Sequence, residues 1–354
     1  MLAALSAVAT LLVGCSGSAA SRTATAAVAT ALPTETLTPG GDYLRIEGEI
    51  VRAVFVPDPE QTALYAFTDE RLYLRTTDGW QPTNTRPDER RLIVNPQLPE
   101  ELLRGASPPC HVPSDMHVPL EISLNSGSTW RSVTNGVNVR PDAFDTELPD
   151  VVYGSACRMM LSTDDGLTWS EVATAPFRAI VSQLPYDTHV LVLDQASEQM
   201  RQLHSVNLND LDDPQFSEVL LEAPDLRCMA VDGERIVAGG LRGVYVSTDG
   251  GATWSRSRVG LESVTLEEDE DPLPHTTDRP SNIGVLSLSL DPEHAAWILA
   301  GTAHGLYISQ DNGATWDIYD EVARDARVLA IQPASAGADL YVTTEQGVVL
   351  VPHP

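Results

Sequence analysis

One eight-residue pattern recurs along the chain and limits its fold more than any other feature. The stretch Ser247-Thr248-Asp249-Gly250-Gly251-Ala252-Thr253-Trp254 has counterparts at residues 162–169 and 309–316. All three share Ser-x-Asp-x-Gly-x-Thr-Trp, as Ser162, Asp164, Gly166, Thr168 and Trp169, then Ser247, Asp249, Gly251, Thr253 and Trp254, then Ser309, Asp311, Gly313, Thr315 and Trp316. Residues 123–130 keep the frame with Asn125 in place of the acid, and a worn copy ends at Trp80. The five tryptophans are 50, 39, 85 and 62 residues apart. That fits a unit of about 40 with one copy missing from the third interval and an insertion in the fourth, a period typical of stacked or radial arrays.

The residues between tryptophans follow one grammar. Residues 227–258 read as a strand, a tight turn, a second strand, a glycine turn, the strand "GVYVS", the octapeptide, and a closing strand from Trp254. Short strands joined up and down and then repeated predict an all-β chain, a single seven-bladed β-propeller of four-stranded antiparallel blades. First strands begin near Val51, Arg91, Val137, Arg178, Arg227, Gly284 and Arg327. The fourth blade, about 177–222, carries "NDLDDPQ" in place of the octapeptide, which explains the longest interval. The seventh stops after three strands, and residues 43–49 are expected to supply the fourth. Such a strand would close the ring and leave no open sheet edge.

The octapeptide falls in the turn between third and fourth strands. Short polar side chains there bond the turn's own backbone, and glycine supplies a positive φ. The tryptophan then wedges between neighbouring sheets. Several equivalent copies argue for a structural staple, because a site used once needs no repetition. Calcium is a poor fit, since the alternate-position oxygens of an EF-type loop are missing. No metal or cofactor is expected.

The pattern Ser-x-Asp-x-Gly-x-Thr-Trp resembles the Asp-box, or BNR, repeat, and the likeness extends from about residue 42 to the end. Sialidases, sortilin-type receptors, some plant-polysaccharide hydrolases and the photosystem II assembly factor family carry it on propellers. The resemblance implies the fold far more than a function. In size, blade number and arginine content the chain is most similar to the assembly factors, which implies a role in holding a membrane-protein partner. Sialidase chemistry would need an arginine triad, a tyrosine-glutamate pair and a further carboxylic acid. The family's Phe/Tyr-Arg-Ile-Pro motif is matched neither by "YLRIE" at 43–47 nor by Phe177-Arg178-Ala179-Ile180.

Composition removes other classes. Acids number 50 against 22 bases, and every base is arginine. Without lysine there is no Schiff base, no P-loop lysine and no serine-lysine dyad. A net charge of −28 disfavours a nucleic-acid partner. No Gly-x-Ser-x-Gly, Gly-x-Gly-x-x-Gly or His-Glu-x-x-His motif occurs.

The N-terminus divides into three expected parts. Residues 1–15 resemble a bacterial lipoprotein signal, an apolar run too short to span a bilayer that ends in Leu12-Val13-Gly14-Cys15, with Cys15 the lipidated residue. Residues 16–41 read as a Ser/Thr/Ala/Pro tether, and 42–354 as the propeller. The protein is thus expected outside the cytoplasmic membrane, anchored by lipid, as a monomer. Of the remaining cysteines, Cys110 and Cys157 lie in neighbouring repeats and form the candidate disulfide, while Cys228 in "RCMAV" reads as a buried thiol.

Arginines mark the candidate binding face. Arg52, Arg91, Arg178, Arg227 and Arg327 open first strands in five blades, at the end opposite the octapeptide turns. Together they would offer an anion site for a carboxylate, an acidic sugar or an acidic peptide. The competing expectation is that each arginine pairs with a nearby acid and caps its strand. The leading function is a non-catalytic binding or assembly scaffold, and the alternative is a sialidase-like glycoside hydrolase.

Overall fold

The computed structural model describes residues 43–353 apart from interruptions, the longest of which are 58–63, 107–118, 173–179 and 262–283. Cys15, Cys110, Cys157 and Arg178 lie outside the described residues. All regular elements described are β-strands, and the fold is a seven-bladed β-propeller. The described residues group into two compact units, one of 43–175 with 332–353 and one of 176–331.

The first unit holds blades one to three. Blade one consists of Ala53–Phe55, Leu64–Phe67, Leu72–Thr76 and Gly79–Pro82, paired in that order. Blade two consists of Arg91–Val94, Leu102–Gly105, Glu121–Ser123 and Arg131–Ser132, and blade three of Arg140–Phe144, Val152–Ser155, Met159–Ser162 and Ser170–Glu171. Apolar side chains of successive blades share one layer: Ile93, Leu103 and Ile122 of blade two meet Phe144, Val152 and Trp169 at blade three.

The second unit holds blades four to six. Blade five is Leu226–Asp232, Arg235–Gly240, Gly243–Ser247 and Ser255–Ser257, and blade six is Val285–Leu290, Ile298–Thr302, Gly305–Ser309 and Asp317–Ile318. Between them lies a core that includes Val237, Val246, Leu288, Ile298 and Trp316. Cys228 is a buried thiol in this core. Where the octapeptide is missing, in blade four, the outer strand is broken: Gln215–Phe216 and Leu221–Pro224 both pair with Met200–Asn207. The last sheet is Val328–Pro333, Asp339–Thr344 and Val348–Pro352, and the boundary between the units falls inside its first strand.

The closing segment departs from a single strand. Glu47 and Gly48 adopt positive φ, 52° and 90°, and turn the chain into a hairpin of Arg45–Ile46 against Glu49–Ile50. Its flanks still grip the last strand: Leu44 N–H donates to Val348 O at 2.8 Å, and Val348 N–H donates to Val51 O at 2.9 Å. Leu44, Ile46 and Val51 are buried beside Val54, Tyr73 and Val348. Closure in the first unit is therefore a docked hairpin held at one residue's backbone. The "EG" dipeptide breaks the strand because glycine reaches the turn conformation without strain.

Candidate functional site

The octapeptide turns share one hydrogen-bond pattern. In the blade-five copy, Ser247 Oγ donates to Asp249 Oδ1 at 2.8 Å and accepts from Gly251 N–H at 2.8 Å. Asp249 then receives Thr253 N–H on Oδ1 at 2.8 Å and the Thr253 hydroxyl on Oδ2 at 2.5 Å. The copies at Asp164 and Asp311 repeat these bonds. In the variant copy, Asn125 accepts Thr129 N–H and donates its amide to the Thr129 hydroxyl. Bonds from the Thr253 hydroxyl and amide hold the Asp249 carboxyl down at about 2. Every polar group of the acid is thereby used inside its own turn.

Each turn also leans on the preceding blade. A Cβ added to Gly166 would lie 2.8 Å from a Leu103 methyl of blade two, and one on Gly313 would lie 2.8 Å from a Val246 methyl of blade five. Trp169 and Trp254 return their indole N–H to the glycine carbonyl of their own turn. Trp130 and Trp316 donate instead across the blade boundary, to Thr85 Oγ1 and Ser257 Oγ at 2.9 Å. These features describe a latch between blades, in which the acid of the repeated frame is engaged within its own turn.

The opposite end of the blades carries the arginines. Arg52 lies just before blade one's first strand and is engaged: Nε and a terminal nitrogen hold the Asp69 carboxylate at 2.8–3.1 Å, and Nη1 donates to Gln346 O at 2.7 Å. Arg91 opens blade two and donates to Asp142 O at 3.3 Å. In the second unit, Arg227 sits at the register irregularity of blade five's first strand, and Arg327 is exposed just before Val328. For Arg52 the ion pair matches the strand-capping expectation.

A dense charge cluster lies among described residues that the sequence reading passed over. Arg90 Nη1 meets Glu121 Oε2 at 2.6 Å, and its Nε and Nη2 hold Asp88 at 2.8 and 2.6 Å. Arg104 brings Nε to the same Glu121 oxygen at 2.8 Å and Nη2 at 2.7 Å. Burial alone would pull the Arg90 guanidinium down, but the bonds and charges of Asp88 and Glu121 outweigh it and hold it above its ordinary value. The exposed Arg86 lines the same cleft, whose apolar wall is Phe67 and Leu92. Chemically, this is a half-buried anchor of two guanidinium groups, Arg90 and Arg104, against two carboxylates, with Arg86 exposed at its edge, placed where first strands begin.

One signal could have located it. The strand residue opposite the octapeptide serine is Leu102, Val152, Ile236 or Ile298. Two residues further on come Arg104, Gly154, Ala238 and Ala300, so blade two places an arginine where the other copies keep a small residue. Arg140 was missed as well. It opens blade three and pairs with Asp142 at 2.8 Å, but reading that strand from Val137 hid its place in the series.

The blade pattern, the latch bonds and the wedged tryptophans now stand beside the comparisons. The BNR/Asp-box repeat model matches residues 245–256. The chain carries a BNR/Asp-box repeat. The chain matches no curated protein sequence. Among solved structures, the GH74 enzyme of Niastella koreensis is similar at a TM-score of 0.55 and 16% identity, over 85% of this chain and 51% of that one. YCF48 from Cyanidioschyzon merolae is similar at 0.53 and 12% identity, over 86% and 96%. YCF48 bound to D1 peptide is similar at 0.56 and 13% identity, over 86% and 94%. The chain spans about half the length of the GH74 enzymes it resembles. At identities this low, the likeness shows the fold alone, and that fold is shared by the GH74 enzyme and YCF48 alike.

Proposed function

We propose that the protein is a non-catalytic binding or assembly scaffold, held outside the cytoplasmic membrane by a lipid on Cys15. It contacts a protein segment or another anionic ligand through the arginine-bearing ends of its blades, with Arg52, Arg91, Arg178, Arg227 and Arg327 contributing to that face. The observation that carries this reading is the cleft of Arg86, Arg90 and Arg104 around Asp88 and Glu121. Bidentate guanidinium groups that already hold carboxylates have the geometry to exchange one for a ligand's carboxylate. The peptide-bound state of YCF48 supports a protein ligand. A hydrolase reading draws on the GH74 likeness and on Glu121, but that carboxylate is held as a guanidinium acceptor in two ion pairs.

Capture from solubilised membranes tests the proposal, using the full chain beside Arg86→Glu and Arg178→Ala/Arg227→Ala variants. A retained partner should be lost from the arginine variants. An identical partner set in all three proteins would reject the arginine face. Release of reducing sugar from xyloglucan or a sialylated oligosaccharide by the purified protein would instead favour the hydrolase.

A further inference from the structure

The octapeptide end of blades two and three carries a surface that the latch does not require. Leu98, Leu124, Leu148 and Leu167 are 41%, 50%, 46% and 38% exposed, and they are the large exposed apolar side chains among the described residues of the first unit. All four lie at one end of two adjacent blades. Leu98 and Leu148 sit in the loops between first and second strands, within the matching runs Leu98-Pro99-Glu100 and Leu148-Pro149-Asp150. Leu124 and Leu167 sit in the octapeptide turns of the same blades. Loop and turn are joined by backbone: Ser126 N–H donates to Glu100 O at 2.9 Å, and Asp165 N–H donates to Asp150 O at 3.0 Å.

Comparison of the copies shows that these leucines are a choice. The position of Leu124 holds Thr163, Thr248 or Gln310 elsewhere, and that of Leu167 holds Ser128, Ala252 or Ala314. The loop position of Leu98 and Leu148, two residues before the carbonyl that receives the turn amide, holds Asp232 in blade five and His294 in blade six. The fold thus builds the same turn without exposed leucine, so the four side chains answer to something outside the turn.

Acids accompany them in both loops. Burial and the neighbouring charges of Asp165, Glu100 and Asp150 act together to hold the Glu101 carboxyl above the usual range, against a bond from Asn95. Burial, then Asp150 and Asp164, do the same to Asp165. Glu100 and Glu101 follow Leu98 in blade two, and Asp150 follows Leu148 in blade three, so each leucine loop carries its own acid. Asp165 Oδ1 is buried without a hydrogen-bond partner among the described residues. An anionic lipid surface would be repelled by these carboxylates, and a second copy would bring the same acids to meet them.

We propose that Leu98, Leu124, Leu148 and Leu167, with Glu100, Glu101, Asp150 and Asp165, form a docking surface for a basic amphipathic segment of a partner protein. The segment presents an apolar stripe to the leucines and flanking arginine or lysine to the acids. This surface lies at the opposite blade ends from the arginines and is independent of the function proposed above.

The probe is a labelled synthetic helix of about 18 residues built from leucine and lysine, with a leucine and glutamate counterpart of the same apolar face. Fluorescence anisotropy with the full chain should show binding of the lysine peptide only, weakened at about 0.5 M salt. Leu124→Ser/Leu167→Ser, which keeps the charge, should weaken binding about tenfold, as should Glu101→Gln/Asp150→Asn. Asp317→Asn/Glu234→Gln, which removes two acids elsewhere, should leave binding unchanged. Equal binding by wild type and both patch variants would show only attraction to an acidic protein and overturn the proposal, as would no binding. Self-association, or attachment to phosphatidylcholine vesicles, that is lost in the leucine variant would assign the patch to another occupant and overturn it too.

Discussion

Arg104 lays its guanidinium against the face of Trp130, 4.2 Å from the ring centroid, while the same group holds Glu121 Oε2 at 2.7 and 2.8 Å. The latch tryptophan of blade two and the charged cleft therefore share one side chain. Removing it with Arg104→Ala leaves Glu121 half-buried beside Arg90 alone and uncovers the indole face. The expected loss is about 2–4 kcal/mol in urea unfolding. Glu121→Ala added to Arg104→Ala should cost less than the sum of the single changes, with a coupling of at least about 1 kcal/mol. Strict additivity would show that the pair does not interact.

Asp249 offers a pH test of the latch. Its carboxyl ordinarily titrates at 3.8 and is held down at about 2 in the fold. A depressed folded value means that the carboxylate's bonds contribute fully above the ordinary value and are lost as pH falls toward 2. Asp164 and Asp311 are shifted the same way, although for Asp164 burial works against the Thr168 bonds. Asn125 shows that an amide keeps the same two threonine bonds. Asp249→Asn should therefore fold normally at pH 7 and lose less stability than wild type between about pH 4 and 2. Chemical denaturation across that range measures the difference in slope.

How far the sequence was legible depended on what each residue's partner was. The octapeptides could be read as turns because their bonds are local: Ser, Asp, Gly and Thr of one copy satisfy each other within a few residues. The strand starts at Arg91 and near Arg227 and Arg327 followed from the same period. Arg90 and Arg104 were missed because the carboxylate they share, Glu121, sits on a neighbouring strand and reaches them only through the pairing of Arg104 with Glu121, although Asp88 lies two residues from Arg90. In blade four, without the turn's local bonds, the outer strand broke into two pieces that periodicity alone does not place.

The closing hairpin should be essential to the first unit. Ile46 is 2% exposed and packs among Leu44, Val51, Val54 and Val348. Ile46→Ala removes three buried carbons and should cost about 2–4 kcal/mol. Arg45→Ala, on the exposed face of the same hairpin, should stay within about 0.5 kcal/mol. Thermal unfolding of the two variants decides the matter: equal midpoints would mean that the hairpin is a loose appendage.

Asp165 sets stability against binding. Its φ is 57°, a conformation that the equivalent positions fill with Ser126, Gly250 and Asn312. Burial, then the charges of Asp150 and Asp164, raise its carboxyl. With a raised folded value the sign reverses: the protonated group is favoured in the fold, and stability falls as pH rises from the unfolded value through the folded one. Asp165→Asn keeps a residue that tolerates this backbone and removes the repelled charge. It should raise stability at pH 7 by a few tenths of a kcal/mol after solvent screening, a gain that disappears below about pH 4. The same variant should bind the leucine and lysine peptide more weakly. A variant that is more stable and binds equally well would show that the acid serves neither fold nor docking, whereas loss of binding with gain of stability is the exchange expected where a surface is kept for a partner.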